Sequence, residues 1–263
     1  MHAGVATLVV FPTTGPQDAA TSATLRRLRE NVLPRVLEDA PAVAHVGGRT
    51  ASVVDIGQRV QDRLPLFIAA VVTLSFLLLT LVFRSIIVPL KAALLNLLGV
   101  GAAYGVLVIV FQWGWGAGLI GLESTVPIVS LLPMFMFAIL FGLSMDYEVF
   151  LLSRVREEYL ISGDNRQSII RGISSTARVI TSAALIMISV FLGFVLGDDP
   201  ATKMFGLGLA IAIFIDATLV RMILVPATMS LLGDANWWLP RWLDHRLPSI
   251  DGAASPADAS SRA

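Results

Sequence analysis

The sequence predicts a mainly α-helical, polytopic membrane protein with five transmembrane helices and a small N-terminal α/β fragment. Hydrophobic residues make up 56% of the 263 residues and charged residues only 14%, whereas soluble domains are about 25% charged. Five apolar stretches each reach the roughly 20 residues that a helix needs to cross a bilayer core. The segment that precedes them instead shows a strand, helix and strand pattern.

The N-terminal segment, residues 1–63, contains three short elements. The stretch from Val5 to Phe11 is typical of a strand, Ala19 to about Asp39 has apolar residues at helical spacing, and Val43 to Val46 is typical of a second strand. Two strands and one helix bury too little surface to be stable alone, so we expect other sequence to complete the sheet. Thr50 to Arg63 is predicted to be a helix that runs directly into the first span.

The five apolar stretches lie within residues 64–233. They are Leu64–Phe83, Ala92–Trp113, Ser124 to about Ser153, Val179–Gly197, and Met204 to about Leu232, the last interrupted by Asp216 and Arg221. Several exceed 20 residues, which permits tilt without fixing it. The glycine pairs Gly101 with Gly105 and Gly206 with Gly208 favour close helix packing.

Positive charges predict the orientation, because Lys and Arg concentrate in loops on the cytoplasmic side. Arg84 and Lys91 flank the first connection between spans, and the third contains Arg154, Arg156, Arg166, Arg171 and Arg178. We therefore expect a plasma (inner) membrane protein with residues 1–63 outside and residues 234–263 inside. Trp237, Trp238 and Trp242 then lie at the inner interface, and the Ala/Ser-rich tail from Gly252 is expected to be disordered.

This orientation requires residues 1–63 to be exported. Residues 1–20 contain no charged region followed by a long apolar core that would direct export. We therefore expect that Met1 is not the start of the functional unit and that at least one transmembrane helix precedes it.

The composition argues against several classes of function. With no cysteine and three histidines far apart in the chain, we expect no disulfide, no metal site and no cysteine nucleophile. The formal net charge is zero, which gives no basic excess for nucleic acid. The sequence lacks a phosphate-binding loop, so we expect no cofactor and no nucleotide hydrolysis.

Acidic residues within the apolar stretches are the candidate functional residues. With a rise of 1.5 Å per residue, Asp146 lies roughly 12 Å from Arg154 and Asp216 about 18 Å from Met204, so both are within the hydrocarbon. A charged aspartate there costs about 2.5–3.5 kcal/mol, so we expect Asp146 to face the interior of the helical bundle, where such residues usually serve a pathway or proton relay. The alternative is a structural contact between helices, such as Asp146 with Arg221.

Two neighbours of Asp146 receive different interpretations. Tyr147 is expected to form a hydrogen bond within a polar track. Glu148 is expected to lie near the interface, about 9 Å inside the cytoplasmic end of the span. Burial and neighbouring charges tune the proton affinity of a carboxyl, and moving one charge through 100 mV is worth about 2.3 kcal/mol. Proton uptake and release at Asp146 is therefore physically accessible.

Several long motifs resemble one family. They are "HVGGRTA" (45–51), "VFRSIIVPLKAALLN" (82–96), "FGLSMDYEVFLLSRVREEY" (141–159), "TARVITSAALIM" (176–187) and "FIDATLVRMILVPATMSLLGDANWWLPRW" (214–242). Together they closely resemble the C-terminal half of the MMPL (mycobacterial membrane protein large) family in the resistance-nodulation-division (RND) superfamily. The resemblance covers about residues 5–247.

The resemblance implies a transporter of two similar halves, each with six membrane helices and a periplasmic porter domain. This chain then corresponds to the end of the second porter domain and the final five helices. Asp146 and Tyr147 match the family's proton-relay pair, whose counterparts lie in the other half, and Asp216 and Arg221 match a required pair of the last helix. The implied function is export of lipids or hydrophobic compounds driven by the proton-motive force. The implied partners are membrane lipids, the substrate and the missing N-terminal half.

Two other interpretations are open at this point. In the first, the isolated chain is a non-transporting remnant or scaffold, because half of the relay is missing from it. Less favoured is an intramembrane aspartyl protease with Asp146 and Asp216 as a dyad, since "GLSMD" lacks the second glycine of the GxGD signature. We otherwise expect no enzymatic activity.

Overall fold

The computed structural model describes residues 6–15, 19–122 and 125–244. The regular secondary structure of these residues is helical, and we number the helices that form the bundle and its ends in chain order. Helix α1 comprises Ala19–Arg27 with the continuing turns Leu28–Val32 and Leu33–Val36; α2 is Arg49–Phe83; α3 is Ile87–Leu107 with the π-helical end Val108–Gln112; α4 is Leu132–Ser162; α5 is Asn165–Val195; α6 is Pro200–Ile215 with the π-helical segment Asp216–Leu224 and the further turns Val225–Leu232 and Gly233–Trp237; and α7 is Arg241–Asp244.

Helices α2 to α6 are each long and apolar enough to span a membrane. Their outward faces carry large apolar side chains, including the exposed Leu74, Leu94, Leu185 and Ile186. Such a surface suits lipid, which solvates apolar side chains but cannot satisfy exposed backbone groups. The prediction of a mainly α-helical, multi-pass membrane protein with five spans is confirmed.

The ends of the spans differ from the predicted ones. Helix α4 begins at Leu132, with Pro133 in its first turn, where proline is tolerated because the N–H groups there have no helical partner. Helix α5 begins at Asn165, well before Val179, because the Asp164 side chain accepts hydrogen bonds from the first backbone N–H groups. Helix α2 runs without a break through residues 50–63, as predicted.

The predicted N-terminal α/β fragment is not supported. Residues 6–11 and 43–46 lie in no strand, and the described residues contain no β-strand at all. Both segments are exposed, with Phe11 85% and Val43 84% accessible. A strand needs a neighbour for its backbone hydrogen bonds, and the described chain supplies none. Residue 5, the predicted start of the first strand, lies outside the described residues, whereas the helical prediction between the strands is confirmed by α1.

The predicted tryptophan belt divides into two environments. Trp237 stacks on Tyr159 with ring centroids 5.3 Å apart, whereas Trp238 and Trp242 are exposed. Both environments lie at the end of the bundle where α4 and α6 terminate. The tail from Gly252, predicted to be disordered, lies outside the described residues.

The interior of the bundle has two apolar clusters with polar residues between them. One cluster contains Phe111, Phe137 and Met204, and the other contains Phe83 and Leu152. Each of α3, α4 and α6 contributes to both clusters at opposite ends of the helix. The residues between the clusters, which we call the polar layer, are Asn96, Ser144, Glu148, Asp216 and Arg221.

Candidate functional site

Helix α4 contributes two side chains to the polar layer. Ser144 and Glu148 are four residues apart and therefore lie on one face of the helix. Asn96 of α3 connects them: its Nδ2 donates to Glu148 Oε2 at 3.1 Å, and its Oδ1 lies 2.8 Å from Ser144 Oγ. All three side chains are buried, and Glu148 is only 3% accessible. These contacts tie α3 to α4 in the middle of the bundle.

The π-helical segment of α6 supplies the charged pair of the layer. Arg221 Nε donates to Asp216 Oδ2 at 2.9 Å. In a regular α-helix, residues five apart point about 140° away from each other. The segment Asp216–Leu224 is instead wound as a π-helix, whose hydrogen bonds join residues five apart, and such segments are frequent at functional sites. The irregular winding therefore brings the carboxylate and the guanidinium together.

Arg221 and Asp216 both bind α4. Arg221 Nη2 donates to the carbonyl oxygen of Ser144 and, at 3.0 Å, to its Oγ. Asp216 Oδ1 lies 2.8 Å from the same hydroxyl. The side chain of Arg221 is 3% accessible and that of Asp216 18%. Because the ion pair is largely buried, its hydrogen bonds to α4 offset the cost of removing two charges from water.

Tyr147 lies beside this ion pair. The guanidinium carbon of Arg221 is 5.2 Å from the centre of the Tyr147 ring, which is within cation–π range. The Tyr147 hydroxyl makes a long contact of 3.9 Å to Met187 Sδ, so among the described residues it does not form the predicted hydrogen bond within a polar track. Tyr147, Ser144, Asn96 and Asp216 all line a small cavity of about 20 Å³, which has room for about one water molecule.

Asp146 is separate from the polar layer. Its side chain is exposed on the surface of the five helices, and among the described residues it has no hydrogen bond or ion pair. Asp146 and Ser144 are two residues apart on α4, so they point about 200° away from each other. The structure thus brings Tyr147, Asp216 and Arg221 together and leaves Asp146 on the outer face of the five helices. The expectation that Asp146 faces the interior of the bundle is therefore wrong for the described chain.

Three sequence-based interpretations are corrected by this geometry. Glu148 is not interfacial, because it is buried in the polar layer. Arg221 pairs with Asp216 and not with Asp146. Asp146 and Asp216 share no hydrogen bond in the described part of the chain, so the dyad of an aspartyl protease is not formed.

Sequence reasoning also missed two members of the layer, Asn96 and Ser144. Their signal was the presence of a hydrogen-bonding side chain within an apolar helix, where polar groups usually seek a partner on a neighbouring helix. Serine and asparagine are common enough in membrane helices that this signal alone did not distinguish them. The four-residue spacing of Ser144 and Glu148 would have strengthened it.

Comparison with known proteins identifies the family. The model of the MMPL family matches residues 3–249. The chain belongs to the MMPL family. Its relatives include the heme uptake protein MmpL11 of Mycobacterium tuberculosis, which is 46% identical over 248 residues, covering 94% of this chain and 25% of that protein. The mycolic acid-containing lipids exporter MmpL11 of Mycolicibacterium smegmatis is 44% identical over 236 residues, covering 90% of this chain and 24% of that protein.

A third MMPL relative is also named as an exporter. The trehalose monomycolate exporter MmpL3 of Mycolicibacterium smegmatis is 40% identical over 198 residues, covering 75% of this chain and 19% of that protein. The chain therefore spans about a quarter or less of the length of these relatives. Membership in this family of transport proteins supports a role in transport in general. The substrates in the relatives' names are those of whole proteins, of which this chain covers only a part.

Proposed function

We propose that this chain forms part of an MMPL transporter that uses the proton-motive force to export lipids or other hydrophobic compounds. The observation that carries the proposal is the arrangement of α4, which presents Asp146 on its outer face and, next to it, Tyr147 against the buried Asp216–Arg221 pair. Carboxyls within membrane helices normally serve a pathway, a relay or a partner.

Asp146 is the proposed proton-binding residue. Protons reach it from the outer side, leave toward the cytoplasm past Tyr147, and change the packing of the helices that drive the porter domain. Arg221 and Asp216 set the electric field along this path. The basic connections at Arg84 and between α4 and α5 face the cytoplasm in this proposal, in accordance with the positive-inside rule.

The proposed partner is the N-terminal half of the complete transporter. Its helices cover the exposed face of Asp146 and supply the second acidic residue and tyrosine of the relay. Without that half the chain is a scaffold that does not transport. Co-expression with a separately encoded N-terminal half distinguishes the two cases, because restored export supports a transporter and persistent inactivity supports the scaffold.

The proposal is tested with the Asp146→Asn variant of the complete transporter. Asparagine keeps the shape of aspartate but does not exchange a proton, so lipid export and proton movement in membrane vesicles are expected to fall to background. The matched control is Asp198→Asn, which changes an exposed aspartate in the connection between α5 and α6 and should leave export unchanged. Export by Asp146→Asn at the wild-type rate would contradict the proposal.

The direction and substrate of transport are measured in the same vesicles. Labelled glycolipid and hemin serve as separate substrates, because one MMPL relative is named for lipid export and another for heme uptake. Proton-dependent movement of the lipid out of the cell supports the proposal. Inward movement of hemin without lipid export would replace it by an uptake function.

A further inference from the structure

The hydrogen bonds of the polar layer place a constraint on its protons. Ser144 has one hydroxyl proton, yet its Oγ lies 2.8 Å from two acceptors, Asn96 Oδ1 and Asp216 Oδ1. Asn96 in turn contacts Glu148 Oε2 through its Nδ2. The four side chains therefore form a continuous chain of contacts with a carboxyl at each end.

The chain of contacts is not satisfied when both carboxyls are ionised. An ionised Glu148 requires Asn96 to donate to it, so the Asn96 oxygen must accept the single proton of Ser144. Asp216 Oδ1 then faces Ser144 Oγ without a proton between them. A buried oxygen pair at hydrogen-bond distance without a proton is unfavourable, so the two carboxyls together must hold at least one proton.

A single proton satisfies the chain in two arrangements. In the first, Asp216 is protonated and donates to Ser144, Ser144 donates to Asn96, and Asn96 donates to an ionised Glu148. In the second, Glu148 is protonated and donates to the Asn96 oxygen, the Asn96 nitrogen donates to Ser144, and Ser144 donates to an ionised Asp216. In both arrangements Ser144 Oγ also accepts from Arg221 Nη2, because it has two lone pairs.

We propose that Asp216 and Glu148 share one proton through Ser144 and Asn96, and that Glu148 is a second proton-holding residue of the transporter. The two arrangements contain the same atoms and the same number of protons: the O–H bond is on Asp216 in the first and on Glu148 in the second. They also differ in orientation, because the Ser144 hydroxyl points toward Asn96 in the first and toward Asp216 in the second, and the Asn96 amide is turned over. The inference rests on the proposed proton coupling, to which it adds a residue and a step.

The surroundings of Glu148 support both of its protonation states. Lys91, Arg221 and Asp216 are the charged groups that interact with it, and the two cations favour the ionised form. Glu148 Oε1, Lys91 Nζ and Arg221 Nη1 nevertheless have no hydrogen-bond partner in the described part of the chain. Incomplete hydrogen bonding of a buried carboxylate opposes ionisation, so the two effects act against each other.

Transfer of the shared proton from Asp216 to Glu148 also has a direction along α4. Glu148 lies about 6 Å further than Ser144 toward the end of α4 that carries Arg154 and Arg156. Movement of the proton from Asp216 to Glu148 is therefore movement toward the end that we propose to be cytoplasmic. Lys91, at the start of α3, lies beyond Glu148 in the same direction.

The test is infrared spectroscopy of the chain in lipid nanodiscs at neutral pH, where a protonated carboxyl gives a C=O stretch that shifts in D₂O. The parent is the Asp146→Asn chain, so that the exposed carboxyl contributes nothing. We expect one protonated-carboxyl band in the parent. Either substitution by itself, Glu148→Gln or Asp216→Asn, should abolish the band. The N–H group of the new amide donates the hydrogen bond for which the shared proton was needed, so the remaining carboxyl ionises.

Three further variants serve as controls. Ser144→Ala should also lose the band, because it removes the contacts that require the proton, whereas Ser144→Thr should keep it. Asp199→Asn should leave the band unchanged, because hydrogen bonds from Thr202 lower the pKa of the Asp199 carboxyl and keep it ionised. If one amide variant does not fold, the other alone decides the test.

Absence of the band in the parent, or its survival at parental intensity in Glu148→Gln, Asp216→Asn or Ser144→Ala, would overturn the inference. The infrared result does not depend on transport. Failure of the proposed function, seen as export by Asp146→Asn, is therefore distinguishable from failure of the shared proton.

Discussion

Arg221 is the residue that joins the two sides of the polar layer. Its guanidinium contacts Asp216 on its own helix, Ser144 on α4 and the ring of Tyr147. Arginine suits this position because its planar fork donates in several directions at once and stacks on aromatic rings, whereas lysine carries a compact point charge. The Arg221 side chain is only 3% accessible, so little water is available to replace these contacts of the guanidinium.

Replacement of Arg221 by methionine should therefore destabilise the chain. Arg221→Met removes one partner of the largely buried Arg221–Asp216 pair, which typically costs about 3–5 kcal/mol. The free energy of unfolding is measured by denaturant titration in mixed micelles. The exposed Arg178, which has no described ion pair, provides the control: Arg178→Met should change stability by no more than about 0.5 kcal/mol.

A double-mutant cycle separates the ion pair from the packing of Arg221. In an Asp216→Asn background the carboxylate is already neutralised, so Arg221→Met should cost less than in the wild-type chain. Contacting residues commonly couple by about 0.5–3 kcal/mol. Equal costs in both backgrounds would show that the pair contributes nothing and that only packing is lost.

The sequence identified Asp216 and Arg221 as site residues but not as partners. An α-helix places residues five apart on different faces, and nothing in the apolar residues around them indicates a π-helical segment. The burial of Glu148 was missed for a related reason. Counting residues from Arg154 gives depth along the helix, whereas burial depends on the face that a neighbouring helix covers.

At the scale of the helices, α4 and α5 pack closely where Gly172 of α5 lies against Val155 of α4. A Cβ built on Gly172 would lie 2.6 Å from Val155 Cγ2 and 2.9 Å from its Cα. The second distance involves backbone, so a side-chain rotation cannot relieve it. A small residue at this position therefore sets the distance between the two helices.

Gly172→Ala is accordingly expected to destabilise the chain by about 1–3 kcal/mol, the usual cost of overpacking. Gly193 offers a matched control on the same helix, because a Cβ there would have nothing within 4 Å. Gly193→Ala should be neutral or stabilising by about 0.5–1 kcal/mol, since alanine restricts the unfolded chain. Thermal unfolding in detergent measures both, and equal effects would contradict a packing role for Gly172.

The spans themselves could be predicted from hydropathy, but their ends could not. Apolar runs report the part of a helix that contacts lipid, whereas a helix ends where its backbone groups find other partners. Helix α5 begins at the cap formed by Asp164, well before the apolar run from which its span was predicted, whereas the start of α2 at Arg49 agrees with the helix predicted from Thr50. The glycine pairs were only half informative: Gly206 and Gly208 do pack closely, whereas a Cβ on Gly101 or Gly105 would meet nothing within 4 Å of the described chain.

At the scale of the whole molecule, α4 has polar groups on two opposite faces. Ser144 and Glu148 point into the polar layer, and Asp146 points outward. A charged aspartate that faces hydrocarbon costs about 2.5–3.5 kcal/mol, a penalty that the five helices alone do not relieve. If the N-terminal half covers this face, as proposed above, the five-helix bundle without it is energetically incomplete at Asp146.

This incompleteness predicts effects of opposite sign for one substitution. In the isolated chain, Asp146→Leu should favour membrane insertion of α4 by about 3–4 kcal/mol, because it replaces a charge by an apolar side chain. In the complete transporter the same change should abolish export, because the proton-binding carboxyl is lost. Insertion is measured by glycosylation mapping of the inserted helix and export in vesicles. Phe150, one turn away on α4 and 39% accessible, provides the control, and Phe150→Leu should alter neither quantity. Retained export by Asp146→Leu would show that Asp146 does not carry the proton. Unchanged insertion of the isolated chain would show that Asp146 does not face lipid before the other half covers it.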